Sequence, residues 1–160
     1  VRDIETLLAV KTGEQIDHKK ISVVQLENAK AQVTPKRPKM GAVQFTVDGM
    51  LCTAEVTMSL DDTSVLGLAH GPASRGNRLR LLAMATIDAL TKLMPDQDGI
   101  VIEDVSVVTM AQGRVALTLL TRMTQQAEET LNGASLVRHD EKEAVVRATL
   151  DAINRRLMAM

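Results

Sequence analysis

The strongest constraint on this chain is that it repeats itself. Ala85-Thr86-Ile87-Asp88-Ala89-Leu90 returns 63 residues later as Ala148-Thr149-Leu150-Asp151-Ala152-Ile153. Gly67-Leu68-Ala69 matches Gly133-Ala134-Ser135 at an offset of 66, and Gly49 matches Gly113 at 64. Small drifts in offset are what loop insertions between two copies of one unit produce. A chain of 160 residues has room for two small units sharing a core.

Each copy reads as three strands and a helix. In the first, Ala42–Val47 alternates, Asp48-Gly49 signals a hairpin, and Cys52–Leu60 alternates with Cys52, Ala54, Val56 and Met58 on one face. Asp61-Asp62 makes a turn, and Ser64–Ala69 is the third strand. Ser74–Met94 has helical periodicity, stopped by Pro95 and Gly99. The second copy runs Ile100–Met110, a turn at Ala111-Gln112-Gly113, Arg114–Met123, a loop Thr124–Glu129, Thr130–Val137, and a helix from Lys142 to Leu157.

The first helix is expected to bury Leu79, Leu82, Thr86, Ala89, Leu90 and Leu93. The second is expected to bury Val146, Leu150, Ile153 and Leu157, with Arg147, Asp151 and Arg155 paired on its outer side. Asp88 and Asp151 read as solvent-facing helix-pair residues. The fold class is therefore α+β: two tandem β-β-β-α units, 42–98 and 99–160, with helices packed on one face of antiparallel sheet. Unpaired sheet edges predict a homodimer.

Ahead of this duplicated domain, residues 1–26 read as a helix (1–12) and a strand (20–26). They are too little to bury their own apolar faces. They must pack on the rest of the chain, on missing sequence, or on a protein partner engaged through residues 1–41. Residues 27–41 read as a linker, with Pro35 and Pro38 blocking regular pairing and Lys36, Arg37 and Lys39 keeping it solvated.

Composition excludes several functions. Net charge is −1, divided as +3 over residues 1–40 and −4 over the remainder. A chain this neutral, with Phe45 its one aromatic residue, lacks stacking platforms and is not a general nucleic-acid binder. No apolar run approaches the roughly 18 residues of a membrane span. Cys52 is the single cysteine, so no intrachain disulfide forms, and the composition suits a reducing, cytoplasmic setting. Cys52 itself reads as core filler, and Met84, Met94, Met158 and Met160, on helices, read as flexible packing.

The chemistry-bearing stretch is Gly71-Pro72-Ala73-Ser74-Arg75-Gly76-Asn77-Arg78. It joins a strand to a helix start, where unpaired N–H groups favour anions. Two readings stand. Ser74 caps the helix while the glycines shape a turn and the arginines are solvated. Or Arg75, Arg78 and Arg80 add charge-assisted hydrogen bonds to a small carboxylate or phosphate. His70 and His139 follow the third strands of their copies, which places Arg138 and His139 in a related position. The candidate ligand-binding residues are Gly71, Ser74, Arg75, Arg78, His70, Arg138 and His139. The site is expected where residues 67–80 meet 133–140, with Leu68, Leu79 and Leu136 supplying apolar contact. No spacing of His18, His70 and His139 suggests a metal, no acid–base or nucleophile set stands out, and no cofactor motif is present.

Two stretches carry a family resemblance. Gly67-Leu68-Ala69-His70-Gly71-Pro72 stands before a helix containing Asp88-Ala89-Leu90. Ala144–Ala152 is followed by Ile153-Asn154-Arg155. Together with the duplicated element order over residues 42–158, they resemble the C-terminal regulatory domain of the 2-isopropylmalate synthase and citramalate synthase family. The resemblance implies a dimeric module that senses a small carboxylate effector between its two units. Ala69-His70-Gly71-Pro72 stands where that family has a GNGP-like run, and the arginines from Arg75 to Arg80 are an added feature. The expected function is thus a non-enzymatic regulatory or interaction domain sensing a small anion. The alternatives are a nucleic-acid-associated protein using the linker with Arg75, Arg78 and Arg80, and a purely structural dimerisation module.

Overall fold

Alternation of small or branched apolar residues with polar ones is what a sheet with one covered face requires, and it organises both halves of the molecule. The computed structural model describes residues 37–95, 99–111, 113–124 and 127–157, all in one compact unit, Pro35–Met160. The expected lead helix, the 20–26 strand, most of the linker, Met158 and Met160 lie outside the described residues. Strands β1 (Lys39–Asp48), β2 (Leu51–Leu60) and β3 (Thr63–Pro72) precede helix α1 (Arg75–Leu93). Strands β4 (Ile100–Met110), β5 (Gly113–Met123) and β6 (Glu128–Leu136) precede helix α2 (Glu141–Leu157). This is the expected pair of β-β-β-α units, built as two separate antiparallel sheets ordered β1-β2-β3 and β4-β5-β6.

The Cys52, Ala54, Val56 and Met58 side chains of β2 are buried, as their alternation predicts. On β5 the equivalent face is Ala116, Thr118 and Leu120. Both first strands carry a bulge, between Met40 and Val43 in β1 and between Ile102 and Asp104 in β4. β1 begins at Lys39, inside the stretch expected to be linker, and Pro38 is buried. Gly49 does not correspond to Gly113. It is the first turn residue between the paired Asp48 and Leu51, and the same place between Met110 and Gly113 belongs to Ala111. Both take left-handed backbone, φ 57° and φ 48°. The first two strands of the units therefore match at an offset of 62.

The repeated Ala-Thr-x-Asp-Ala segment is explained by how each helix meets its third strand. Gly67 of β3 lies directly beneath α1: a Cβ there would overlap the Ala85 carbonyl oxygen and come within 2.7 Å of Ala89 Cβ. Gly133 of β6 lies in the same way beneath Ala148 and Ala152 of α2. Thr86 and Thr149 are buried and return their hydroxyls to the Leu82 and Val145 carbonyls at 2.7 and 2.9 Å. Buried hydroxyls are tolerated only when paired.

Asp88 pairs with Lys92 one turn on at a part-exposed helix face, as the sequence reading expects, but Asp88 and Asp151 also bind the sheet. Asp88 accepts the backbone N–H of Leu68 at 2.9 Å, and Asp151 accepts that of Ala134 at 3.2 Å. Each carboxylate thus occupies a donor of a strand that has no further strand to pair with among the described residues. The buried arc of α1 is also wider than expected. It takes in Leu81, Ala83 and Ala85 besides Leu82, Thr86, Ala89 and Leu90, with Leu79 and Leu93 only half-buried. The reason is that α1 packs on its own sheet and also against α2 and β4. On α2, Val146, Leu150 and Ile153 are buried as expected, and Arg147 donates to Glu143 one turn back at 3.0 Å.

Candidate functional site

The ends of β3 and β6 hand the chain to α1 and α2, and the two helix starts converge on one cavity of about 640 Å³. It is lined by pseudo-equivalent pairs. Phe45 of β1 and Val107 of β4 correspond at the strand offset of 62, while Arg78 with Glu141 and Leu79 with Lys142 correspond at the helix offset of 63. The cavity therefore straddles the relation between the copies. Arg75, Gly76, Ser106, Arg114 and Asp140 complete the lining.

Its charged groups other than Arg75 are held in place. Arg114 donates to Glu141, and Lys142 pairs with Asp140 at 3.1 Å. The Arg78 guanidinium is tethered through Nε to the Ala73 carbonyl at 2.9 Å. Asp140 is the side chain that caps a helix, accepting the Lys142 backbone N–H at 2.9 Å. Four cations thus face two carboxylates around an apolar floor of Phe45, Leu79 and Val107. Such a lining suits a small organic anion with an apolar body.

Among the sequence candidates, Arg75 and Arg78 line this cavity together with Asp140, where the two units were expected to meet. The other candidates sit elsewhere. His70 and Gly71 belong to β3, which runs on to Pro72. Register puts His70 opposite Thr53 on the outer sheet face, where its Nδ1 lies 2.9 Å from the Thr53 hydroxyl. Gly71 is on the inner face, where a Cβ would come within 3.1 Å of Asn77 and Leu81 of α1. Ser74 occupies the N-cap position of α1 with extended backbone but makes no side-chain cap bond. The Asn77 side-chain amide instead closes the turn by donating to the Pro72 carbonyl at 2.8 Å. Arg138 and His139 are exposed at the bend before α2 and do not line the cavity.

Leu68 and Leu136 also lie on outer sheet faces and give the cavity no apolar wall. Arg80 is engaged by the fold: it donates to the Ile102 and Glu103 carbonyls at 2.7 and 3.3 Å, at the β4 bulge. Sequence reasoning missed Phe45, Ser106, Val107, Arg114, Glu141 and Lys142. The offset of 62 between first strands would have linked Phe45 to Val107.

A second, more apolar groove of about 410 Å³ runs between α1 and the start of β4, along Met84, Ile87, Ile100 and Val101. Among the described residues, no group of three or more His, Cys, Asp or Glu is placed to hold a metal ion. No helix among them is long and apolar enough to cross a membrane. No protein-family model matches this sequence, and neither does any curated protein.

Proposed function

We propose that this chain is a non-enzymatic regulatory module that binds a small organic anion in the cavity between its two helix starts. The observation that carries the reading is the lining itself. Two copies of one unit supply equivalent positions to one cavity, and those positions have diverged to Phe45 and Val107, Arg78 and Glu141, Leu79 and Lys142. A lining that differs across the symmetry suits an asymmetric ligand, with its anionic end toward Arg75 and Arg78. An arginine hydrogen bond to a charged group contributes roughly 1.5–3 kcal/mol. A helix N-terminus adds about 0.3–1 kcal/mol. With apolar contact, these terms support micromolar to millimolar binding.

The likeness to isopropylmalate and citramalate synthase regulatory domains is proposed on the same footing, and it points to the same ligand class. A thermal-shift panel of amino acids, 2-oxo acids and nucleotides tests the reading. A carboxylate that stabilises the protein but not the variant with Arg75→Ala and Arg78→Ala supports it. A ligand that stabilises both equally moves the site elsewhere.

A second reading, a purely structural module, is favoured by one observation: every residue of the Ala-Thr-x-Asp-Ala repeat has a packing or hydrogen-bonding role. A panel without a single stabilising compound would favour it. The nucleic-acid reading loses one of its cations, because Arg80 is committed to β4 carbonyls.

A further inference from the structure

The duplication supplies its own control for the two sheet faces that carry no helix of the described residues. In the first unit the two middle rows of that outer face are largely polar, with Leu51 and Leu66 flanking them at 62 and 44% exposure. One row across it is Thr46–Thr53–His70 and the next is Gln44–Glu55–Leu68. Hydrogen bonds run along both, from the Gln44 amide to Glu55 at 2.7 Å and between Thr53 and His70 at 2.9 Å. The equivalent rows of the second unit are Val108–Val115–Leu136 and Ser106–Leu117–Ala134. Val101 and Leu119 extend this apolar surface. Leu117, Leu119, Met123 and Leu136 remain 37, 39, 50 and 56% exposed. The fold does not demand apolar residues in these two rows, because the matching rows of the first unit carry Thr46, Thr53, His70, Gln44 and Glu55. A contiguous apolar face on one of two equivalent sheets marks a covered surface.

We propose that this face of β4-β5-β6 is covered by the same face of a second copy, making an isologous sheet-on-sheet dimer. Two features favour a second copy. The first is the polar pattern. The row Asp104–Leu119–Asn132 puts a carboxylate and a carboxamide on either side of the central leucine. A two-fold axis lying between the sheets, parallel to β5, sets β4 of one copy over β6 of the other. Asp104 then meets Asn132 of the partner subunit, acceptor against donor, while Leu117 and Leu119 pack across the axis. The second is size. Three strands about 4.8 Å apart and roughly 37 Å long present about 500 Å² per copy, or about 1,000 Å² in all. That reaches the lower bound of a specific interface, so dissociation in the micromolar range is expected.

Sedimentation velocity of the full chain from about 1 to 200 μM tests this. The expected result is a concentration-dependent monomer–dimer equilibrium. Leu119→Glu should abolish it, whereas Thr57→Glu, the equivalent outward position of the first sheet, should leave it unchanged. Far-UV circular dichroism establishes that each variant folds, and should Leu119→Glu fail to fold, the milder pair Leu117→Ser and Leu119→Ser replaces it. A wild type monomeric throughout the range overturns the proposal and leaves the face to another occupant, such as residues 1–36. A dimer that survives the β5 substitutions overturns it too, and moves the interface to an edge strand.

Discussion

The Asp88 carboxylate, in the middle of α1, accepts the backbone N–H of Leu68 on the outermost strand of its sheet at 2.9 Å. Lys92, one turn on, binds the same carboxylate at 2.7 Å and donates to the Leu66 carbonyl at 2.9 Å. Two side chains of one helix thus pair successive groups of an edge that has no further strand among the described residues. In the second unit Asp151 and Ala134 repeat the carboxylate half of this arrangement.

Removing the acceptor should therefore cost stability in both units. The pair is partly open to solvent, which lowers its worth to about 1 kcal/mol for Asp88→Ala. The same loss is expected for Asp151→Ala, and a smaller one for Asp88→Asn, whose amide oxygen still accepts. Urea unfolding measures each change as a lower midpoint at constant slope.

Close packing of helix on strand makes Gly67 and Gly133 intolerant. Either glycine changed to alanine drives a methyl into the helix backbone. A loss of at least about 3 kcal/mol is expected at each. Gly76 is the contrast: a Cβ there meets nothing within 4 Å. Gly76→Ala, in the first turn of α1, should instead gain about 0.5 kcal/mol. Equilibrium unfolding of the three variants side by side checks the order.

Arg80 joins the units by donating to the Ile102 and Glu103 carbonyls of β4. Arg80→Ala should destabilise by about 1 kcal/mol. It should also raise amide hydrogen exchange in β4 more than in β2, which α1 holds by packing. Equal exchange in both strands would remove the assigned role.

Most of the fold was legible in sequence because it rests on local periodicity. The alternation from Cys52 to Met58 and the helical spacing of Val146, Leu150 and Ile153 each state which face is buried, and the burial agrees. What escaped depends on contacts between distant segments. Asp88 looks solvent-facing because its partner stands 20 residues away on another element. Ser74 looks like a cap, yet Asn77 and Arg78 bind the preceding carbonyls. His70 left the site because β3 continues through Pro72, and strand parity then turns His70 outward. Arg114 and Glu141 are 27 residues apart and meet because α2 packs on β5.

The central claim is that a small anion occupies the cavity between the helix starts. Its most direct test is amide chemical-shift mapping of the full chain titrated with the most stabilising compound of the carboxylate panel. Shifts concentrated at Gly76, Leu79, Val107, Arg114 and Glu141, and lost on Arg75→Ala, are the expected result. Shifts confined to the outer sheet faces, or unchanged in the Arg75→Ala protein, would contradict the account.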